Sequence, residues 1–125
     1  MIVCIDGNDG TGKTTLIKKL QQIFPPEIVF QDRGLPSAMT DSCTTETADL
    51  YIILDATVST CQNRLKQAGK SLEEKYHNEQ DLRFYREKFL EVANQLQAII
   101  INVEQPIDKV IVAVVNIIKE NVGSY

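Results

Sequence analysis

Residues 7–15 read GNDGTGKTT, and the spacing of the glycines and the lysine is that of a loop able to grip phosphate. Gly7, Gly12, Lys13 and Thr14 match G-x-x-x-x-G-K-[ST]. In this pattern glycines let the backbone turn so that several N–H groups converge on one anion. A helix starting directly after the loop would add partial positive charge at its N-terminus. Lys13 is then placed to reach the outer phosphates of a nucleoside triphosphate, and the Thr14 hydroxyl to ligate Mg²⁺. Gly10, Thr11, Gly12, Lys13, Thr14 and Thr15 together form the expected cradle. The plain alternative is a glycine-rich turn carrying one solvated lysine, and the flanking elements decide between the two.

A second chemical pair is Asp32-Arg33. A carboxylate at the end of a strand can reach Mg²⁺ or its water ligands, and an arginine beside it can pair with a phosphate oxygen. Asp55 and Glu104 occupy comparable strand-end positions, although capping the next helix explains Asp55 equally well. His77 has no partner cluster in the sequence and is expected to be solvated, with no role assigned. Tyr76, beside it, could stack on a base or pack locally.

The elements that must position these groups follow from hydrophobic patterning. Residues 2–5 form a short continuous apolar run, the pattern of a strand buried on both faces. After Lys13, apolar residues at 16, 17, 20, 23 and 24 recur at helical spacing until Pro25-Pro26 forbids continuation. Residues 28–30 give a second buried strand, 34–47 a loop, and 50–54 a third strand. A helix over 57–67 is expected to stop at Gly69, followed by a polar lid segment around 66–80. From Asp81 a longer helix carries the stripe Leu82, Tyr85, Phe89, Val92 and Leu96. A fourth strand over 99–103 precedes a last helix that begins near Pro106. Strands alternating with helices imply right-handed crossovers and a parallel sheet covered on both faces, with ligands bound beyond the carboxyl ends of the strands. The expected architecture is α/β: a three-layer P-loop NTPase domain with a reduced sheet of about four strands. At 125 residues and 43% hydrophobic content the chain reads as one domain, residues 1–125.

Composition narrows the function further. A net charge of −4 supplies no general attraction to nucleic acid or anionic membrane. Cys4, Cys43 and Cys61 show neither CxxC nor Cys/His spacing, so they are expected as buried or idle thiols in a reducing compartment. The opening apolar run is too short for a leader or a membrane span, and a cytoplasmic protein is expected. No N-K-x-D run is present to read guanine, which disfavours a GTPase.

With these residues in view, the chain resembles the thymidylate kinase-like group of nucleoside monophosphate kinases. The resemblance rests on DGNDGTGKTT at residues 6–15, with Asp9 inside the loop, and on Asp32-Arg33 with Ser37 beyond. It extends through ADLYIILD and the helix bearing Arg64, EKYHN before the helix from Asp81, and INVEQPIDKV. It implies that Asp9 contacts the sugar of the acceptor nucleotide, that Asp32 supports the metal or acceptor, and that Arg33 and Arg64 neutralise the transferring phosphates. It also implies that Glu104 lies on the adenine side of the donor site. Two departures stand out. Only Pro25-Pro26 separate the first helix from the Asp-Arg strand, and only residues 34–47 follow it, so most of the usual acceptor-binding region is missing. Lys66, Lys70 and Lys75 stand where arginines are common, leaving Arg64 and Arg83 as charge stabilisers.

The expected activity is therefore transfer of the γ-phosphoryl of ATP, with Mg²⁺, to a nucleotide-like acceptor. For a hydroxyl acceptor, Asp9 or Asp32 could orient or deprotonate it. An open site could instead admit a nucleoside, or a nucleotide within or at the end of DNA, although the acidic charge disfavours DNA. A partner subunit, such as a second copy in a homodimer, could complete the pocket. A noncatalytic nucleotide-binding regulatory subunit is the reading from a different class, and joint retention of Lys13 and Asp32 favours the kinase over it.

Overall fold

The computed structural model describes residues 1–32 and 48–122. Eight elements follow one another: β1 (Ile2–Gly7), α1 (Lys13–Ile23), β2 (Val29–Asp32), β3 (Leu50–Asp55), α2 (Val58–Gln67), α3 (Glu79–Leu96), β4 (Ile99–Asn102) and α4 (Ile107–Val122). The four strands make one parallel sheet in the order β2-β1-β3-β4. The chain thus has an α/β architecture built on a four-stranded parallel sheet.

Alternation along the strands builds two helical layers. Val3 and Ile5 of β1 and Ile52 and Leu54 of β3 join the larger core with Leu16 and Leu20 of α1 and Val110, Val114 and Ile118 of α4. Cys4 and Ile53, one position out of step, face the other way and pack with Phe89 and Ala93 of α3. The sheet is therefore covered on both faces, and the apolar runs of β1 and β3 are buried because each of these strands has a strand on both sides.

The second strand departs from expectation. It runs Val29–Asp32 at the sheet edge, with Val29 47% exposed, rather than being buried throughout. Its apolar composition was compatible with a central strand; its place in the sheet order leaves it one strand neighbour among the described residues. The third helix also starts earlier than its apolar stripe suggests. Asn78 caps it by accepting a hydrogen bond from the Asp81 amide at 2.8 Å, so the polar residues 79 and 80 are helical.

Other boundaries follow local chemistry. Helix α1 ends at Ile23, and Phe24 is extended because Pro25 follows it. Helix α2 is capped by the Thr57 hydroxyl, not by Asp55. It stops at Gly69, where Gly69 N–H bonds to the Lys66 carbonyl and Lys70 N–H to the Leu65 carbonyl, a Schellman closure at φ +77°. Cys4 and Cys61 are buried, as expected of idle thiols, and Cys43 lies outside the described residues. Among the described residues no helix is long and apolar enough to cross a membrane.

Candidate functional site

The loop between β1 and α1 is set by sterics before any ligand is considered. A Cβ on Gly7 would run into the Leu54 carbonyl of neighbouring β3, and one on Gly10 would lie 2.7 Å from the Cys61 carbonyl of α2. Both glycines also have positive φ, +147° and +90°. Only glycine lets this loop lie so close to the sheet and to α2. Inside the turn, the Thr11 hydroxyl donates to the Asn8 carbonyl at 2.7 Å, and the Asn8 amide nitrogen donates to the Leu82 carbonyl of α3 at 2.8 Å. Asn8 and Thr11 are buried polar residues, so these bonds satisfy groups that would otherwise be costly to enclose.

The loop opens on a cleft of about 470 Å³ lined by Asn8, Asp9, Gly10, Gly12, Lys13, Thr14 and Thr15 on one side, and by Arg64, Leu65, Ala68, Lys70 and His77 on the other. Three cations, Lys13, Arg64 and Lys70, face this space. Helix α1 begins at Lys13, so its N-terminal amides and partial positive charge are directed at the same place. The arrangement suits a polyphosphate.

Lys13 is held from behind by two carboxylates: Asp6 at 3.4 Å and Asp32 at 3.5 Å. Asp6 is almost wholly buried at the end of β1 and accepts from the Gly7 amide at 2.8 Å. Burial pushes its carboxyl above the ordinary range, and the Lys13 ammonium pulls it back down. Asp6 had no role on sequence grounds, although it opens the loop signature. Asp32 is 43% exposed and meets the loop through Lys13. Arg33 lies outside the described residues, as do Ser37 and the rest of residues 33–47.

Arg64 donates to the Val103 carbonyl at 2.6 Å, which fixes its guanidinium between the glycine-loop cleft and a second pocket of about 260 Å³. That pocket is lined by Thr11, Gly12, Thr15, Arg64, Val103, Gln105, Ile107 and Val110. Glu104 lines neither cleft; it accepts from the hydroxyls of Thr60 and Thr57, which hold its carboxyl below the usual range. Arg83 is exposed and pairs with Glu79 one turn earlier on α3.

Two groupings were not legible from spacing. Asp55 takes a bidentate hydrogen bond from Arg86, at 2.9 and 3.1 Å, tying the end of β3 to α3. His77 is not solvated: its side chain is only 12% exposed and its Nε2 lies 3.1 Å from Asp9 Oδ2. The partner that sequence reasoning could not supply comes from the phosphate loop, 68 residues away. Tyr76 packs against Tyr85, with ring centroids 5.4 Å apart.

Mg²⁺ would find hard oxygen donors here: the Thr14 hydroxyl in the cleft wall and the half-exposed Asp32 carboxylate at the same end of the sheet. Among the described residues no group of three or more His, Cys, Asp or Glu residues could hold a metal by itself. That sparse donor set fits Mg²⁺, which is commonly held by one or two protein groups together with substrate phosphates.

The family model for thymidylate kinase matches residues 28–114, from the start of β2 into α4, a range that includes Asp32, Arg64, His77 and Glu104. The glycine loop precedes that range and rests on its own geometry. No curated protein matches the chain.

Proposed function

Because the chain belongs to the thymidylate kinase family, whose class is nucleotide kinase, we propose that it transfers the γ-phosphoryl of ATP to a nucleotide-like acceptor. The observation that carries the reading is the convergence of Lys13, Thr14, Arg64 and the N-terminus of α1 on one cleft.

In this reading the amides of residues 10–15 and the Lys13 ammonium grip the β- and γ-phosphates. Asp6 and Asp32 keep Lys13 pointed along the loop until phosphate oxygens replace them as its partners. Thr14 and Asp32 would hold Mg²⁺, which would offset the negative charge of the transferring phosphates. Arg64, fixed by the Val103 carbonyl, stabilises negative charge on the transferring group, a role that the family resemblance also gives to Arg33. The pocket beside Arg64, between Val103 and Gln105, takes the donor base. Asp9 contacts the acceptor. A phosphate acceptor requires no strong base, so positioning and electrostatics supply most of the rate.

The test is transfer of labelled γ-phosphate from Mg-ATP to deoxynucleoside monophosphates, nucleosides and single- and double-stranded DNA. Transfer to a monophosphate that falls at least about 100-fold in Lys13→Ala is the expected result. Transfer confined to DNA or nucleosides would replace the acceptor class. Undiminished transfer by folded Lys13→Ala would remove the donor site.

A further inference from the structure

In the polar stretch between α2 and α3, His77 makes a part-buried contact with the glycine loop, and the geometry around it is unusual. Tyr76 has φ +71°, a left-handed conformation that a bulky residue adopts at some cost. Several bonds hold it there. The Tyr76 amide donates to Asp81 Oδ2 at 2.9 Å, and the same carboxylate oxygen accepts from the Asn78 side-chain amide at 3.0 Å. The His77 and Asn78 amides both donate to the Glu74 carbonyl, at 3.1 and 3.2 Å.

This left-handed turn delivers the His77 ring into the cleft wall, between two carboxylates. Nε2 meets Asp9 Oδ2 at 3.1 Å, while Nδ1 is enclosed with no hydrogen-bond partner among the described residues, 3.5 Å from the Glu74 carboxylate. Asp9 remains a third exposed, so its carboxylate is oriented by the imidazole and still reachable by a ligand. A strained residue held by surrounding bonds and adjacent to a buried polar contact is the arrangement expected where geometry serves a site.

We infer that His77 is a positioning residue for the acceptor: it fixes the Asp9 carboxylate and couples acceptor binding to docking of residues 70–78 on the phosphate loop. This rests on the reading of Asp9 as an acceptor contact. His77 touches no reacting atom; it acts through Asp9. The coupling has a direction. An acceptor that engages Asp9 profits from a carboxylate already oriented.

The experiment is steady-state kinetics of His77→Ala, His77→Gln, Asp9→Ala and the double variant, with ATP and the acceptor varied separately. Losing one charge-assisted hydrogen bond predicts an acceptor KM raised about tenfold in His77→Ala, with kcat and the ATP KM within about twofold of the parent. His77→Gln, whose amide can still donate to Asp9, should recover most of the loss. Added to Asp9→Ala, His77→Ala should raise the acceptor KM no further. An effect confined to the ATP KM, full additivity in the double variant, or no recovery by glutamine would each overturn the inference while leaving the phosphotransferase reading intact. Hydrogen exchange supplies a readout independent of turnover. His77→Ala should speed exchange at the His77 and Asn78 amides about tenfold or more while α4 is unaffected, and unchanged exchange there would overturn the docking even if the parent protein phosphorylates nothing.

Discussion

The two walls of the glycine-loop cleft are built in different ways. Residues 7–13 are fixed by backbone sterics: glycines where a Cβ would meet β3 or α2, and buried bonds from Asn8 and Thr11. Residues 70–78 are mostly exposed and polar, and their hold on the loop runs through the His77 side chain. The first wall is therefore ready for a ligand before it arrives. The second meets the loop through His77 and is itself anchored by Leu72 against the main core. A sterically fixed wall facing one held by side chains is the arrangement that the proposed phosphate site would need for repeated turnover.

Substitutions within the rigid wall can break this contrast. Gly10→Ala meets both a positive φ and the Cys61 carbonyl, and should lose about 2–4 kcal/mol in urea unfolding. Gly12 shares the positive φ, +88°, but a Cβ there meets nothing within 4 Å, so Gly12→Ala should cost only about 1–2 kcal/mol. Equal losses at the two positions would show that dihedral preference, not close approach to α2, sets this wall. The smallest change is expected of Asn8→Ala, which removes the bond to the Leu82 carbonyl and should cost about 1 kcal/mol. A loss several times larger would mean that α3, and not the glycines alone, holds the loop in shape.

Much of this was readable in the sequence, and what was not has a physical reason. The loop was legible because a phosphate cradle needs glycine and lysine at fixed local spacing, and the helices because their buried stripes repeat locally, as at Leu16 and Leu20 or Val110, Val114 and Ile118. The exposure of β2 was not, since apolar residues at an edge look like apolar residues in the middle and only sheet order separates them. The His77–Asp9 pair spans 68 residues and the Arg86–Asp55 pair 31, and neither distance leaves a periodic trace. A lone histidine in a polar stretch looks solvated until the fold brings it a carboxylate. Asp6 was visible in the loop signature, but its burial beneath Lys13 became clear only with β1 in the centre of the sheet.

The central claim is that the glycine loop and Lys13 form a donor site for Mg-ATP. Its most direct test is calorimetric titration of ATP into the protein and into Lys13→Ala, with and without Mg²⁺. The account predicts saturable binding by the parent, strengthened by Mg²⁺ and weakened at least about tenfold in Lys13→Ala, a change of about 1.4 kcal/mol. Equal affinity of the two proteins, each shown to be folded, would contradict it.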